Sequence, residues 1–521
     1  MPEGDKSNET SLAEGCVRRV YRGRLMKPIT IVMPYKPGSS LKKTLISMGT
    51  SELIESFLIV SPKPIGLKMG KCDILCPGIL TAQKTLERLL SRIQTRFLLL
   101  LKEAQPILIE KTSIQRLLKE ADRTRAGMVY SDFYEESGRG KTLYPLNDYQ
   151  LGSIRDDFDF GPLILFSVSA IQESVKKYGM LTDVQFAGLY DLRLKVSIDH
   201  PIRHIQDPLY SIKRPYRGVQ DSLHPGRLFS YLDPRNMKIQ KEMEIVFTDY
   251  LKKIGAYLSP SQLREVEPTK GSFPVEASVV IPVKNRKETI TEAIKSALSQ
   301  KTDFPFNIIV VDNHSTDGTT DILSRLASQH PQLKHLIPKR FDLGIGGCWN
   351  EAITHKACGR FAVQLDSDDL YSNPNALQKM VEHLRQGRYA MVIGSYTLVD
   401  SHLREIPPGL IDHREWTDEN GHNNALRING LGAPRGFNTS LIRKIGFRNV
   451  SYGEDYEVGL RICREYRIGR IYKSLYLCRR WPGNTDANLS IEEVNQKDFF
   501  KDKIRTKEIE ARQKLNQGLD A

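Results

Sequence analysis

The sequence predicts an α/β protein of two tandem domains, each built on a mixed, mostly parallel sheet and joined by a helical linker. Three observations carry that prediction. The chain has 521 residues, beyond the size at which one hydrophobic core keeps growing. Short, nearly continuous Val/Ile/Leu runs alternate with polar helix-like stretches, the pattern of strands covered on both faces. The same ordered series of runs also occurs twice, roughly 250 residues apart.

"TIVMPYKP" at 30–37 reads as a first strand ended by proline, and it answers "SVVIPVKN" at 278–285. "FLIVSP" at 57–62 then answers "IIVVDN" at 308–313, and "RFLLLLKEAQ" at 96–105 answers "RFAVQLDSDD" at 360–369. "GMVYSDF" at 127–133 lines up with "AMVIGSY" at 390–396, and "GLYDLRLKV" at 188–196 with "EDYEVGLRI" at 454–462. Stretches 288–299 and 319–328 have helical character. Between the copies Met237, Ile239, Met243, Ile245, Val246, Leu251 and Ile254 recur at helical spacing, before a polar stretch that ends at Gly271 and Pro274. The expected organisation is a polar extension at 1–27, a first α/β domain at 28–215, a helical linker at 216–274, a second α/β domain at 275–491 and a charged helical tail at 492–521.

An apolar fraction of 40% with 26% charged residues argues against disorder. The net charge of +14 suits anionic partners such as nucleoside diphosphates or an acidic membrane face. The basic residues are scattered, with no aromatic-interleaved stripe, so nucleic acid is not expected as a partner. Seven cysteines (16, 72, 76, 348, 358, 463, 478) lack metal-ligand spacing and read as reduced thiols. The polar N-terminus and the short longest apolar run, Phe97 to Leu101, lead to the expectation of a cytoplasmic protein, at most peripheral to a membrane.

In a parallel sheet ligands collect beyond the carboxyl ends of the strands. In the second copy those positions carry Asp312 and Asn313, then Asp366, Asp368 and Asp369, while Glu454 and Asp455 open a helix. Three carboxylates within four residues repel one another, which a divalent cation relieves; Mg²⁺ or Mn²⁺, keeping few protein ligands and bridging to phosphate, is the natural guest. An acidic turn with an N-cap and first-turn acids accounts for the same residues without chemistry. Trp416 and Trp481 offer faces for a sugar ring or are core residues. Gly344, Gly346 and Gly347 form a turn with the composition of a phosphate loop, and His413 lies in a polar loop.

The series "VVIPVKNR", "IVVDNHSTDGT", "LGIGGCWNEAI", "LDSDD" and "GEDYEVGLR" resembles, in order and over about 200 residues, the signatures of family 2 glycosyltransferases with the GT-A (Rossmann-like) fold. The resemblance implies an inverting transferase that moves a sugar from a nucleoside diphosphate sugar to a saccharide, lipid-linked or small-molecule hydroxyl acceptor. It implies that Pro282, Val283 and Asn285 line the nucleotide pocket with Asn350, that Asp312 or Asn313 meets the base, and that Asp368, with Asp366 and Asp369, holds metal and diphosphate. Asp455, beside Glu454, is the implied catalytic base, and Trp416, Arg480 and Trp481 are candidate acceptor contacts. The chain departs from the family at Asn313, where a second aspartate is common, at Trp349-Asn350 in place of Arg-Asn, and at Leu477, where the late Gln/Arg-x-x-Arg-Trp motif loses its first residue.

The first copy has lost these groups. Lys102, Ala104 and Gln105 stand for the three aspartates, Gly188-Leu189 for Glu454-Asp455, and Ser61-Pro62 for Asp312-Asn313. It is expected to keep the fold without the chemistry, as scaffold, homo-oligomer surface or acceptor-binding module. The competing expectation is a divergent site around Asp132 or Asp156, Asp157 and Asp159. Two other functions fit the pattern less well: a sugar-phosphate nucleotidyltransferase, and a scaffold that only binds glycans or nucleotide sugars.

Overall fold

The computed structural model describes residues 20–21, 24–36, 41–49, 51–66, 71–104, 106–138, 140–213, 236–266, 271–484, 487 and 489–519. Gln105 and residues 216–235 of the expected linker lie outside them.

The first sheet comprises β1 (Ile29–Pro34), β2 (Ile54–Val60), β3 (Cys72–Leu75), β4 (Phe97–Leu101), β5 (Ile107–Ile109), β6 (Met128–Ser137), β7 (Gly140–Tyr144), β8 (Leu163–Ser167) and β9 (Ile202–Lys213). The second comprises β10 (Ala277–Val283), β11 (Phe306–Asp312), β12 (Leu333–Leu336), β13 (Phe361–Gln364), β14 (Leu370–Tyr371), β15 (Met391–Val399), β16 (Glu405–Ile411), β17 (Arg435–Asn438) and β18 (Ile468–Arg479). Their orders are β3-β2-β1-β4-β8-β6-β9-β5 and β12-β11-β10-β13-β17-β15-β18-β14, with β7 on β6 and β16 on β15. The topologies are identical strand for strand. Register agrees too: Ile29 is paired with Phe97 as Ala277 is with Phe361, both in parallel. The expected α/β class with two mixed sheets is therefore what the chain adopts.

The strands that read as continuous apolar runs are buried on both faces: β4 is buried throughout, and Val279, Val280, Ile281, Ile308, Ile309, Val310 and Val311 are fully covered. Five helices matter for the site: α1 (Gly188–Asp199), α2 (Met237–Lys253), α3 (Ile345–Thr354), α4 (Glu454–Glu465) and α5 (Ile491–Asn516). α1 and α4 are the repeat counterparts, each of 12 residues.

The two units are not beads on a string. Ile154, Tyr190 and Leu194 of the first, Val246, Phe247, Tyr250 and Leu251 of α2, Phe437, Tyr456 and Leu460 of the second, and Ile504 and Ile509 of α5 form one continuous core. α5 begins with a capping box, Ser490 Oγ accepting from Glu493 N and the Glu493 carboxylate from Ser490 N. Its buried face is charged: Asp502, Arg505, Glu508 and Arg512 are covered along with Ile504 and Ile509. Such a face survives burial because its members pair: Arg505 donates to Asp502 at 2.7 Å and Arg512 to Glu508 at 2.8 Å. Among the described residues six cysteines are free, and no helix is long and apolar enough to cross a membrane.

Candidate active site

The acidic turn lies beyond the carboxyl end of β13 and is held from three sides. Asp366 N donates to the Tyr476 hydroxyl at 2.9 Å, Thr289 Oγ1 donates to the Ser367 carbonyl at 3.0 Å, and Arg479 N donates to Asp369 Oδ1 at 2.7 Å. Asp366 accepts from Gln364 Nε2 at 2.9 and 3.0 Å. Asp368 Oδ2 accepts from Trp481 Nε1 at 3.1 Å and Asn484 Nδ2 at 3.3 Å, with Arg286 Nε 3.7 Å away. Burial, and then the charges of Asp368 and Asp366, push the Asp369 carboxyl well above the usual range. Among the described residues no three His, Cys, Asp or Glu side chains converge as a protein-built metal cage. The donor set instead suits a hard cation that takes one or two carboxylates and fills its other positions with phosphate or water.

The opposite wall is the start of α4. Gly453 takes a left-handed φ of 77°, turning the chain so that Glu454 and Asp455 open the helix. This wall is pressed close to α3: a Cβ at Gly346 would lie 1.9 Å from the Arg448 carbonyl oxygen and 3.1 Å from Glu454 Cβ. Gly344 N donates to Asn449 Oδ1 at 2.7 Å and Gly346 N to the Val450 carbonyl at 3.0 Å. The glycines thus serve close packing of α3 against the approach to α4, rather than forming a phosphate loop.

Arg435, at the start of β17, joins the walls. Its Nη1 donates to Gln364 Oε1 at 3.1 Å while its Nη2 pairs with Asp455 Oδ2. A continuous chain therefore runs Asp366, Gln364, Arg435, Asp455. The two adjacent acids are driven apart. For Asp455 burial works upward, but Arg435 and then Lys501 hold its carboxyl below the ordinary range. Burial, then Asp455, pushes Glu454 up, and its Oε2 is buried without a hydrogen-bond partner. The surroundings thus favour the ionised form of Asp455 and the protonated form of Glu454.

Glu454 makes stability depend on pH. A carboxyl whose folded pKa exceeds its unfolded value binds its proton more tightly when folded; its contribution is full below the unfolded pKa and is lost as pH rises toward the folded one. Melting temperatures of the unmutated chain and Glu454→Gln should diverge as pH rises from about 5 to about 8, the unmutated chain falling faster. Parallel curves would refute a raised Glu454.

The residues expected at the nucleotide separate into two groups. Asn285, at φ 54°, accepts from Thr316 N at 2.8 Å, and Val283 and Pro282 end β10 beside it. Asp312 is fully buried and accepts from Ser315 N at 3.0 Å and Thr320 Oγ1 at 2.6 Å, with His335 Nε2 at 3.3 Å. Burial would raise it, but His335, Ser315 and Thr320 hold it well below the usual range, so it organises its loop from inside. Asn313 Nδ2 donates to the Leu343 carbonyl at 2.7 Å and its Oδ1 is left without a partner, so this is the atom of the pair with acceptor capacity to spare. Asn350 is engaged elsewhere: its amide donates to the Phe447 carbonyl at 2.8 Å and accepts from Phe447 N at 2.9 Å.

Of the acceptor candidates, Trp481 is brought onto Asp368, and Arg480 follows β18 next to it, its backbone N–H donating to the Val399 carbonyl at 2.7 Å. Trp416 is not. It is 4% exposed, packs over Gly421 and lines a cavity with Arg388, Tyr389, Arg467 and Ile468, where β15 and β18 begin. The structure puts it at the wrong end of the strands for the acidic cleft. His413, also buried, has Nδ1 2.8 Å from Glu415 Oε1. Sequence reasoning missed Gln364, Arg435, Arg286, Asn484 and Lys501. Arg286 ends the "VVIPVKNR" run, Gln364 directly precedes "LDSDD" and Asn484 follows Trp481 by three positions, so proximity to a motif could have found them; Arg435 and Lys501, outside any motif, carry no such signal.

In the first unit, a Cβ on Gly188 would lie 2.6 Å from the Thr81 carbonyl oxygen, so the start of α1 is packed shut, whereas the Asp455 side chain at the start of α4 is 31% exposed. Asp132 is bound by His204 Nε2 at 2.8 Å and accepts from Leu146 N at 2.7 Å. Asp156 pairs with Arg427, Asp157 with Arg155, and Asp159 accepts from Gly161 N. These acids, the alternative to a disarmed copy, each have a structural partner.

Residues 278–446 match the family model described as Glycosyl transferase family 2. The GalNAc(5)-diNAcBac-PP-undecaprenol beta-1,3-glucosyltransferase of Campylobacter jejuni is 32% identical over 119 residues, 23% of this chain and 37% of that protein. Glycosyltransferase AglD of Haloferax volcanii is 31% identical over 130 residues, 24% of this chain and 20% of that one. Among solved structures, residues 1–349 of S. aureus TarS, in complex with UDP-GlcNAc, align with 23% identity and a TM-score of 0.35 over 46% of this chain and 73% of that one. The chain spans less than half the length of these two curated relatives. Residues 278–446 are a glycosyl transferase family 2 domain.

Proposed function

We propose that the second unit is an inverting glycosyltransferase that takes a sugar from a nucleoside diphosphate sugar and passes it to a hydroxyl acceptor, with Asp455 as general base. The observation that carries this reading is the chain through Gln364 and Arg435, which ties the acidic turn to Asp455 across one cleft. The acceptor oxygen attacks the anomeric carbon from the face opposite the diphosphate; the bond from that carbon to the diphosphate oxygen breaks, and the diphosphate leaves with the electron pair. The acceptor proton passes to Asp455, which the charges of Arg435 and Lys501 keep ionised. Inversion follows from attack opposite the leaving group.

Asp368, with Asp366 and Asp369, would hold Mg²⁺ or Mn²⁺, which when bound supplies positive charge to the departing diphosphate. Asn313 Oδ1 is suited to accept from a base N–H, and Pro282, Val283 and Asn285 to line the nucleotide pocket. Arg480 and Trp481 stand on the sugar side of Asp368 in this reading. The Campylobacter relative is named as a glucosyltransferase and the TarS structure contains UDP-GlcNAc, which makes uridine diphosphate sugars the first donors to try. The first unit is read as a copy that keeps the fold without the chemistry.

The test is a panel of UDP-glucose, UDP-N-acetylglucosamine and GDP-mannose with the full chain, with and without Mn²⁺. Metal-dependent protection against thermal unfolding by one donor, followed by release of its nucleoside diphosphate, is the expected result. Pyrophosphate release from a nucleoside triphosphate and a sugar phosphate would point to a nucleotidyltransferase. Tight metal-dependent binding with no turnover would favour a binding scaffold.

A further inference from the structure

The C-terminal helix connects the first unit to the cleft. α5 is laid along residues 145–155: Asn147 Nδ2 donates to the Asn495 carbonyl at 3.0 Å, Gln150 Nε2 to the Phe499 carbonyl at 3.0 Å, and Gly152 N to Thr506 Oγ1 at 2.8 Å. Arg155, 6% exposed, grips Asp498 at 3.1 Å and Asp502 at 3.3 Å. The approach is so close that a Cβ on Gly152 would lie 1.9 Å from the Asp502 carbonyl oxygen. From the other side Arg505 donates to the Leu426 and Ile428 carbonyls and to the Tyr456 hydroxyl of α4. α5 is therefore fixed in rotation and in register.

That placement sends Lys501 to the start of α4. Its Nζ donates to the Asn429 carbonyl at 2.6 Å and stands over the rings of Tyr452, at 4.8 Å, and Tyr456, at 5.6 Å. These two tyrosines flank Gly453, Glu454 and Asp455 in the chain. A cation at a helix N-terminus is opposed by the helix dipole, so a lysine held there needs compensating negative charge. Burial lowers Lys501 to about 8, with Arg505 and Arg155 acting the same way, and the carboxylates that oppose this are Asp455 first and then Asp498. The charged groups that act on Asp455 from the elements around it are Arg435 of β17 and Lys501 of α5, with Glu454 beside it and Asp366 acting on Glu454 across the cleft.

We propose that Lys501 is a positioning residue for the Asp455 carboxylate, and that the first unit takes part in the reaction by clamping α5 so that this lysine stays on the acceptor side of the cleft. The inference rests on the transferase reading and gives the disarmed copy a mechanical task. It also accounts for the Asn147 and Gln150 side chains donating to the backbone of α5 rather than to a site of their own.

The experiment measures hydrolysis of UDP-glucose, UDP-N-acetylglucosamine and GDP-mannose with Mn²⁺ by the full chain, water serving as acceptor. Lys501→Met should lower kcat about ten-fold, leave the donor KM within about two-fold, and move the acid limb of the pH profile upward by up to about one unit, because Asp455 loses one of the two cations that hold it ionised. Lys501→Arg, which keeps the charge, should restore most of the rate. Asn147→Ala with Gln150→Ala, which loosens the clamp and leaves Lys501 in the chain, should shift the profile in the same direction by less. Folding of each variant is checked by its melting transition, and the Arg variant serves if the Met variant does not fold: a rate and profile then matching the unmutated chain support the charge requirement, and a tenfold loss overturns it. An unshifted profile with unchanged kcat in Lys501→Met overturns the role of Lys501 while the transferase reading stands. No turnover by the unmutated chain with any donor overturns that reading, and the role of Lys501 with it.

Discussion

Asp455→Asn should lower nucleotide-sugar turnover by about 10²–10⁴-fold, the usual contribution of a positioned general base. The substitution keeps the shape of the side chain, and asparagine Oδ1 can still accept from Tyr456 N, which donates to Asp455 at 2.7 Å. Arg435 loses its ionic partner but keeps Gln364, and the Asp455 side chain is 31% exposed, so solvent screens part of the loss and the stability cost stays near 1 kcal/mol. Release of nucleoside diphosphate, measured beside the melting temperature, separates the two effects. A variant that melts normally and turns over at the unmutated rate would remove Asp455 from the reaction.

Arg505→Met should destabilise the chain by about 3–5 kcal/mol, the range for breaking a buried pair from one side. Arg505 and Asp502 are both fully covered, and Arg505 also serves the Leu426 and Ile428 carbonyls, Asn429 Oδ1 and the Tyr456 hydroxyl. Methionine fills much of the volume and satisfies none of these acceptors. Arg155 and Ser153 still meet Asp502, which places the cost within that range rather than above it. Urea unfolding would read the change as a shifted midpoint at constant slope. A loss below about 1 kcal/mol would mean that water replaces the guanidinium and that the core joining the two units is looser than the burial of Arg505 implies.

Much of the fold was legible because buried strands leave a local signature. The runs at 30–34, 57–60 and 97–101 and their counterparts at 278–283, 308–312 and 361–364 need no partner to be recognised, and their order is enough to align two copies. The acids of the turn and of α4 were legible for a related reason: carboxylates clustered at strand and helix ends are costly, so their presence demands an account. Trp416 shows where this fails. Its chemistry suits a sugar face, but only the path of the chain after β16 decides which end of the sheet it joins. Asn350 was read from the resemblance and the glycines around 346 from composition, when approaches between α3 and the 447–450 segment determine what they do.

The sequence by itself determined the α/β class, the duplication, and which copy retains acids beyond its strands, since each is written in local apolar periodicity and residue type. Only the tertiary structure decided that Arg435 links the two acidic groups, that α5 is a buried charged helix shared by both units, and that Lys501 stands at the start of α4. The physical reason is that charge pairing across a fold has no period: Arg155, Asp502 and Arg505 are ordinary surface letters until packing removes the water around all three, after which each is tolerable only because the others are there.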